Sequence, residues 1–147
     1  TDETMAAMAA AGFKAIMWGI ESLSPRMLAA YNKHTTPEDV WHSLGLAAKY
    51  GIQSWGYFVV GGPEETKEDI AVTRAGIAEL KKTGLLNWHM VNVLVAFPGT
   101  ALWGLAETEG REPRCPSHVS DYGQPNLARP WVDALTVQRW RRELLEC

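Results

Sequence analysis

Apolar and polar positions follow two different periods along residues 1–110. Short apolar runs rich in aromatic and β-branched residues predict strands over residues 13–20, 52–60 and 90–96. Between them, apolar residues recur every three or four positions, which predicts amphipathic helices. Because strands that alternate with helices favour a parallel sheet with right-handed crossovers, the pattern predicts an α/β fold of three consecutive βα units.

Local signals mark where the helices begin and end. Residues 2–11 form a predicted helix that is closed by Gly12. The clearest start is Thr36, followed by Pro37 and by Asp39 three residues after the cap. Further helices are predicted over residues 26–31, from Thr66 to the residues before Gly84, and over residues 101–109.

The composition changes after Gly110. Residues 111–130 hold four of the eight prolines and no periodicity, so they predict an extended segment or ordered loop, with a linker between domains as the alternative. Helical spacing returns through Val137, Trp140 and Leu144, with Thr136 as the predicted cap. The chain is therefore divided into a βα body, residues 1–110, and a C-terminal extension of loop and helix, residues 111–147.

Composition and charge narrow the function classes. With 147 residues, of which 46% are apolar and 21% charged, the chain is typical of one globular domain and not of a disordered, collagenous or disulfide-rich protein. A net charge of −3 with no basic stripe indicates no nucleic-acid partner. No apolar run approaches the roughly 18 residues that a membrane span needs, so no membrane association and a cytoplasmic location are expected.

The residues that bind metals in other proteins do not form a metal motif here. Cys115 and Cys147 are far apart in sequence and are expected to be thiols of a reducing compartment. The histidines lack HxH or HExxH spacing, so no metal ligand is predicted among them. These four residues are His34, His42, His89 and His118.

Candidate binding chemistry gathers where the strands end. In parallel α/β folds ligands bind at the carboxyl ends of the strands. Residues 19–22, 61–66 and 97–100 follow the three strands, and each segment combines a glycine, which permits close backbone approach, with a polar residue. Each alone is also explained as a turn with a helix cap, but together they predict a site for a small-molecule substrate or cofactor.

Glu21 stands apart from the other polar residues at the strand ends. It ends an apolar strand with no helix directly after it, and a charge in that place needs solvent or a partner. A ligand hydroxyl or amine would supply one. We therefore expect the carboxylate to face the top of the sheet near Gly61 rather than to pair with a surface lysine or arginine.

In chain order these segments resemble the second half of a radical S-adenosylmethionine (SAM) enzyme core, of the type often found behind a cobalamin-binding domain. The resemblance covers residues 1–110, where several linked motifs occur in order. It implies three βα units, the fourth to the sixth, of a partial (β/α)6 TIM-like barrel. The motifs are Ala11-Gly12-Phe13, Gly19-Ile20-Glu21-Ser22-Leu23-Ser24, Asn32-Lys33 with Thr36, Gly51-Ile52, Gly61 with Pro63, Glu65 and Thr66, and Pro98-Gly99-Thr100.

The resemblance also implies roles for individual residues. Glu21 and Ser22 match side chains that reach the ribose or methionine part of SAM, and Gly61 matches a strand whose backbone lies against the adenine. Lys33 matches a family position without an assigned role, and the family usually has glycine where this chain has Glu64. The implied cofactor-binding set is Gly19, Glu21, Ser22, Gly61, Gly62 and Pro63.

The family binds a 4Fe-4S cluster through a CxxxCxxC motif, which is absent from this chain. The resemblance therefore implies that the chain is a fragment, inactive alone, whose partner is an N-terminal half of the barrel that carries the cluster ligands. Cobalamin is a further cofactor implied for the complete protein, and no catalytic residue is identified. The alternatives are a degenerate core, a non-catalytic α/β binding or scaffold module, and a fragment of an unrelated βα barrel.

Overall fold

The computed structural model of the chain describes residues 1–108 and 132–147. Its strands form one parallel sheet in the order β1-β2-β3, with β1 at Ala15–Glu21, β2 at Gln53–Val60 and β3 at Trp88–Val93. Helices connect consecutive strands, as is usual between parallel neighbours. The predicted α/β fold of three parallel βα units is confirmed.

The helices of the described residues begin close to where the sequence places them. Thr36 and Thr66 each accept a hydrogen bond from the amide three residues later, and Asp39 and Asp69 accept one back from the cap residue. No helix in residues 1–108 and 132–147 has the length and apolar character to cross a bilayer. The helices are α1 (Asp2–Ala10), α2 (Pro25–Ala30), α3 (Pro37–Lys49), α4 (Lys67–Lys82), α5 (Ala101–Thr108) and α6 (Ala134–Leu145).

Two boundaries in the described residues differ from the sequence prediction by three residues, and the others differ by two or fewer. The strand predicted over residues 90–96 begins at Trp88 and ends at Val93. The prediction extended too far because the apolar run continues into Val95 and Ala96, which are buried but do not belong to the strand. Helix α6 is capped by Asp133, whose carboxylate accepts from the Thr136 amide at 2.9 Å, so the cap lies three residues before the predicted one. The predicted loop over residues 111–130, with Cys115 and His118, lies outside the described residues, as does Glu109.

One face of the sheet packs against the helices. Phe58 and Val60 from β2 are fully buried, and Val91 and Val93 from β3 lie beside them. This alternation of buried and less buried positions follows from the two-residue period of a strand. The helices fill the other side of this core with Val40, Leu44, Ile70, Ile77, Leu80, Val137, Trp140 and Leu144.

The opposite face of the sheet is open and aromatic. Met17 is 66% exposed and Trp88 41% exposed, and the rings of Trp55 and Tyr57 each lie 5.9 Å from the Trp88 ring. Trp18, whose direction the sequence left open, packs with the helical core instead. In the described part of the chain the helices therefore cover one face of the sheet. The aromatic face stays exposed, as the inner face of an incomplete barrel would be.

His89 joins β3 to the last helix. The imidazole Nε2 lies 2.8 Å from the Leu144 carbonyl oxygen. Burial lowers the pKa of His89 below its ordinary value of 6.5, although the hydrogen bond to Leu144 opposes the shift. Because the unfolded chain then binds the proton more readily, the stability associated with the neutral ring is complete above about pH 6.5 and declines as the pH falls.

Two helical glycines should respond to alanine in opposite directions. An added Cβ at Gly45 in α3 would meet nothing within 4 Å, whereas at Gly76 in α4 it would overlap Leu23 Cδ1. We expect Gly45→Ala to raise the free energy of unfolding by about 0.5–1 kcal/mol through helix propensity. Gly76→Ala should lower it by about 1–2 kcal/mol, because overpacking outweighs the same propensity gain. Urea unfolding measures both, and an equal gain in the two variants would contradict the packing.

Candidate functional site

The carboxyl ends of the three strands meet at one edge of the sheet, and β1 is irregular there. Gly19 pairs with Tyr57 and Glu21 with Phe58, so a bulge separates Gly19 from Glu21. Glu21 has φ +66°, in the left-handed region that a side chain other than glycine seldom adopts. Such strain persists only where neighbouring contacts hold it, and it concentrates at functional sites. Asn32 and Glu64 also have a positive φ, but of the three Glu21 is the residue at the bulged end of a strand, and the sequence selected it as well.

Glu21 pairs with Lys33, from the segment after α2. The Lys33 Nζ lies 3.1 Å from Glu21 Oε1, and both side chains remain partly exposed. The expectation that Glu21 would not pair with a lysine is wrong. The reason is that the loop after α2 returns over the strand end, a placement that sequence spacing does not report.

Gly19 makes room for this ion pair. A Cβ at Gly19 would lie 2.8 Å from Glu21 Oε1 and 3.3 Å from Lys33 Nζ. The pair borders a cavity of about 230 Å³ that Tyr31, Val59 and Leu94 also line. Two opposite charges thus stand at the mouth of a small recess at the strand ends, where they can bind polar groups of a ligand.

The turn after β2 is held by a buried carboxylate. Gly61 has φ +85°, and its amide and that of Gly62 both donate to Glu65 Oε2, the latter at 3.2 Å. A Cβ at Gly62 would overlap the Tyr31 hydroxyl and come within 2.7 Å of Met27 Cε. Glycine is therefore required at this position by close packing. Sequence reasoning did not give Glu65 this role, although its spacing from the two glycines was visible.

Pro63 and Glu64 complete the turn that leads to α4. Pro63 is partly buried, while Glu64 is exposed and has φ +54°. The resemblance noted glycine as the usual residue at position 64, and the left-handed backbone explains that preference because glycine has no Cβ to clash. Glu64 therefore adopts the same kind of strained backbone as Glu21.

Ser22 is directed toward α4. It is 1% exposed, its hydroxyl lies 3.0 Å from that of Thr73, and it accepts from the Ser24 amide at 3.1 Å. The structure thus places Glu21 at the recess and Gly19 beside its ion pair, but it engages the Ser22 hydroxyl beside a helix. The cofactor contacts assigned to the six residues of the resemblance remain predictions.

Asp69 joins the two loops that follow β1 and β2. Its carboxylate accepts from the Ser24 hydroxyl at 2.6 Å, from the Arg26 guanidinium, and from the Thr66 amide at 2.9 Å. Burial alone would raise the pKa of Asp69, but these hydrogen bonds, that of Arg26 first, hold it well below its ordinary value of 3.8. The sequence identified the capping role of the residues at the start of α4 but not this contact between loops.

A family model described as the Radical SAM superfamily matches residues 1–75. The chain belongs to the radical SAM superfamily. It is also 34% identical over 100 residues to an uncharacterized methyltransferase of Pyrococcus horikoshii. That match covers 68% of this chain and 21% of the relative, so the chain spans about a fifth of the relative's length.

Radical SAM proteins in general use SAM together with a 4Fe-4S cluster. The end of β1 has the chemistry for part of SAM, because the ion pair offers both an acceptor and a donor and Gly19 leaves space beside it that a Cβ would fill. The cluster does not fit: residues 1–108 and 132–147 contain no group of three or more His, Cys, Asp or Glu side chains able to hold a metal. Among the described residues the one cysteine is Cys147, and it is not part of such a group.

Proposed function

We propose that the chain forms one half of a radical SAM enzyme core and supplies part of the cavity for SAM and substrate. The observation that carries this proposal is the Glu21–Lys33 pair, 3.1 Å apart at the carboxyl ends of parallel strands in a superfamily that uses SAM. The two charges are suited to a ligand that has both hydroxyl or ammonium donors and a carboxylate. SAM has all of these groups.

The chain's own residues bind and orient the cofactor in this proposal. The Glu21 carboxylate accepts hydrogen bonds from ribose hydroxyls or from the ammonium, while Lys33 donates to the carboxylate. At the start of the turn held by Glu65, Gly61 has no side chain to keep the backbone away from a flat base. An electron from the 4Fe-4S cluster of the proposed N-terminal half would cleave bound SAM to methionine and a 5′-deoxyadenosyl radical.

The size of the recess supports a cavity shared between two halves. About 230 Å³ is less than the roughly 300–1,000 Å³ of a typical small-molecule site. The open aromatic face of the sheet adjoins the unpaired edge of β1 in the described residues, and exposed strand edges are usually covered. The proposed N-terminal half, with its cluster ligands, would cover both.

Methyl transfer is the reaction type that we propose for the complete enzyme. The support is the match to a relative named as a methyltransferase. Cobalamin as an additional cofactor and a cytoplasmic location belong to the same proposal and depend on the complete protein.

The proposal is tested by titrating SAM into the complete protein by calorimetry and by mapping the bound state with hydrogen exchange. We expect saturable binding with one site and increased amide protection in residues 19–22 and 61–66. S-adenosylhomocysteine, which lacks the methyl group and the sulfonium charge, serves as a comparison ligand. Absence of binding, or protection confined to other segments, would favour the non-catalytic scaffold module instead.

A further inference from the structure

The loop that leaves Glu21 lies along one face of α4. Asp69, Thr73 and Gly76 stand at positions i, i+4 and i+7 of this helix, so they share a face. We call these three residues the α4 contact face. Each of them touches residues 22–26, which directly follow Glu21.

Asp69 and Thr73 of the α4 contact face make hydrogen bonds to the loop. Asp69 accepts from Ser24 at 2.6 Å and from Arg26. One turn later the Thr73 hydroxyl accepts from the Leu23 amide at 3.2 Å and lies 3.0 Å from the Ser22 hydroxyl. The contacts with Ser22, Leu23 and Ser24 are buried and that with Arg26 is partly buried. Buried polar groups left without partners are costly, so the loop has little freedom to shift.

The same helix is fixed to the second loop of the site. Its cap residue, Thr66, donates through its amide and its hydroxyl to Asp69 Oδ2 at 2.9 and 2.8 Å. The Arg26 guanidinium also donates to the Glu64 carbonyl oxygen at 2.8 Å. Asp69 therefore holds the loop after Glu21 and the glycine turn after β2 in one arrangement.

We propose that the α4 contact face, through Asp69, is the positioning element that holds Glu21 in its binding geometry. Glu21 has a left-handed φ of +66°, and a strained backbone of this kind needs fixed neighbours on the chain. The loop that supplies them is held by α4. The inference rests on the proposed function, because it assigns Glu21 a ligand, but its structural half is independent of SAM.

The chain contains a matched control. Asp39 forms the same capping box with Thr36 as Asp69 forms with Thr66, with hydrogen bonds of 2.8 and 3.0 Å. These bonds are exposed, and the bonds recorded for the Asp39 carboxylate come from Thr36 alone. Asparagine at each position thus weakens one capping box by removing the charge and one acceptor oxygen, but only at Asp69 does it also weaken a contact between site loops.

The test compares Asp69→Asn with Asp39→Asn in the complete protein, by SAM titration well below the unfolding midpoint and by hydrogen exchange. We expect Asp69→Asn to weaken SAM binding about tenfold and to speed amide exchange at residues 22–24 and 61–62. Asp39→Asn should change the dissociation constant less than about twofold, as expected for a site without shared partners. Equal effects of both variants, or unchanged exchange in Asp69→Asn, would overturn the proposal.

A second variant covers the case in which Asp69→Asn does not fold. Thr73→Val keeps the shape of the side chain and removes the hydroxyl that contacts Ser22 and Leu23. We expect faster exchange at residues 22–24 and about fivefold weaker SAM binding; unchanged exchange would overturn the proposal. If the wild-type protein binds no SAM, the proposed function fails, while the exchange measurements still decide whether α4 positions the loop.

Discussion

Replacing Glu21 with glutamine is expected to weaken SAM binding by the complete protein about 10- to 100-fold. Glutamine has the same shape but no charge, so it loses about 1.5–3 kcal/mol of charge-assisted hydrogen bonding. It also leaves Lys33, whose Nζ lies 3.1 Å away, without an anionic partner. Titration calorimetry measures the change in affinity. Because both side chains are partly exposed, folding should be largely retained.

Two further variants separate binding from general charge effects. Glu68→Gln removes a carboxylate that is 69% exposed in the first turn of α4, and it should leave the dissociation constant unchanged. Lys33→Gln should weaken binding as well, and the double variant should lose less than the sum of the two, because the residues act as a pair. Equal affinity of wild type and Glu21→Gln would remove Glu21 from the site.

Replacing Phe58 with alanine is expected to lower the free energy of unfolding by about 3–5 kcal/mol. Phe58 is fully buried at the centre of the sheet, and its ring meets that of His89 edge-on at 6.2 Å between centroids. Gly56 lies close to the Phe58 ring, because a Cβ there would be only 3.1 Å from it. As a glycine, it has no side chain that could fill the space left by the ring. Alanine at position 58 therefore leaves a cavity inside the core.

Urea unfolding monitored by circular dichroism measures this loss. Val72→Ala on the exposed side of α4 is the control, because Val72 is 49% exposed and its truncation opens no cavity. We expect that variant to stay within about 0.5 kcal/mol of wild type. A loss below about 1.5 kcal/mol in Phe58→Ala would show that the two core layers are packed more loosely than the structure indicates.

Local features of the fold were determined by the sequence itself. The capping boxes at Thr36 and Thr66 involve atoms only three residues apart, so their chemistry is complete within the segment. The apolar run over residues 52–60 likewise predicts β2 from its own residues, although it does not report which of the two faces is buried. The order of strands and helices, and with it the parallel sheet, follows from such local patterns.

The boundary of β3 shows where this reasoning stops. Val95 and Ala96 are as apolar as the strand before them and are buried, but they do not belong to the strand. Periodicity reports burial and not hydrogen-bond partners, so it placed the strand too far along the chain. Its true limits depend on pairing with β2, which is a tertiary property.

The residues of the candidate site divide in the same way. A glycine and a carboxylate at the end of β1 were visible in the sequence, and so was the family resemblance that the match to residues 1–75 confirms. The partner of Glu21 was not, since Lys33 reaches it from another element. Nor was the burial of Ser22 against Thr73, 51 residues away. Such contacts depend on how helices and loops pack over the sheet. A short-range sequence pattern carries no information on the distance between two residues that are far apart in the chain, so only the tertiary structure decides these contacts.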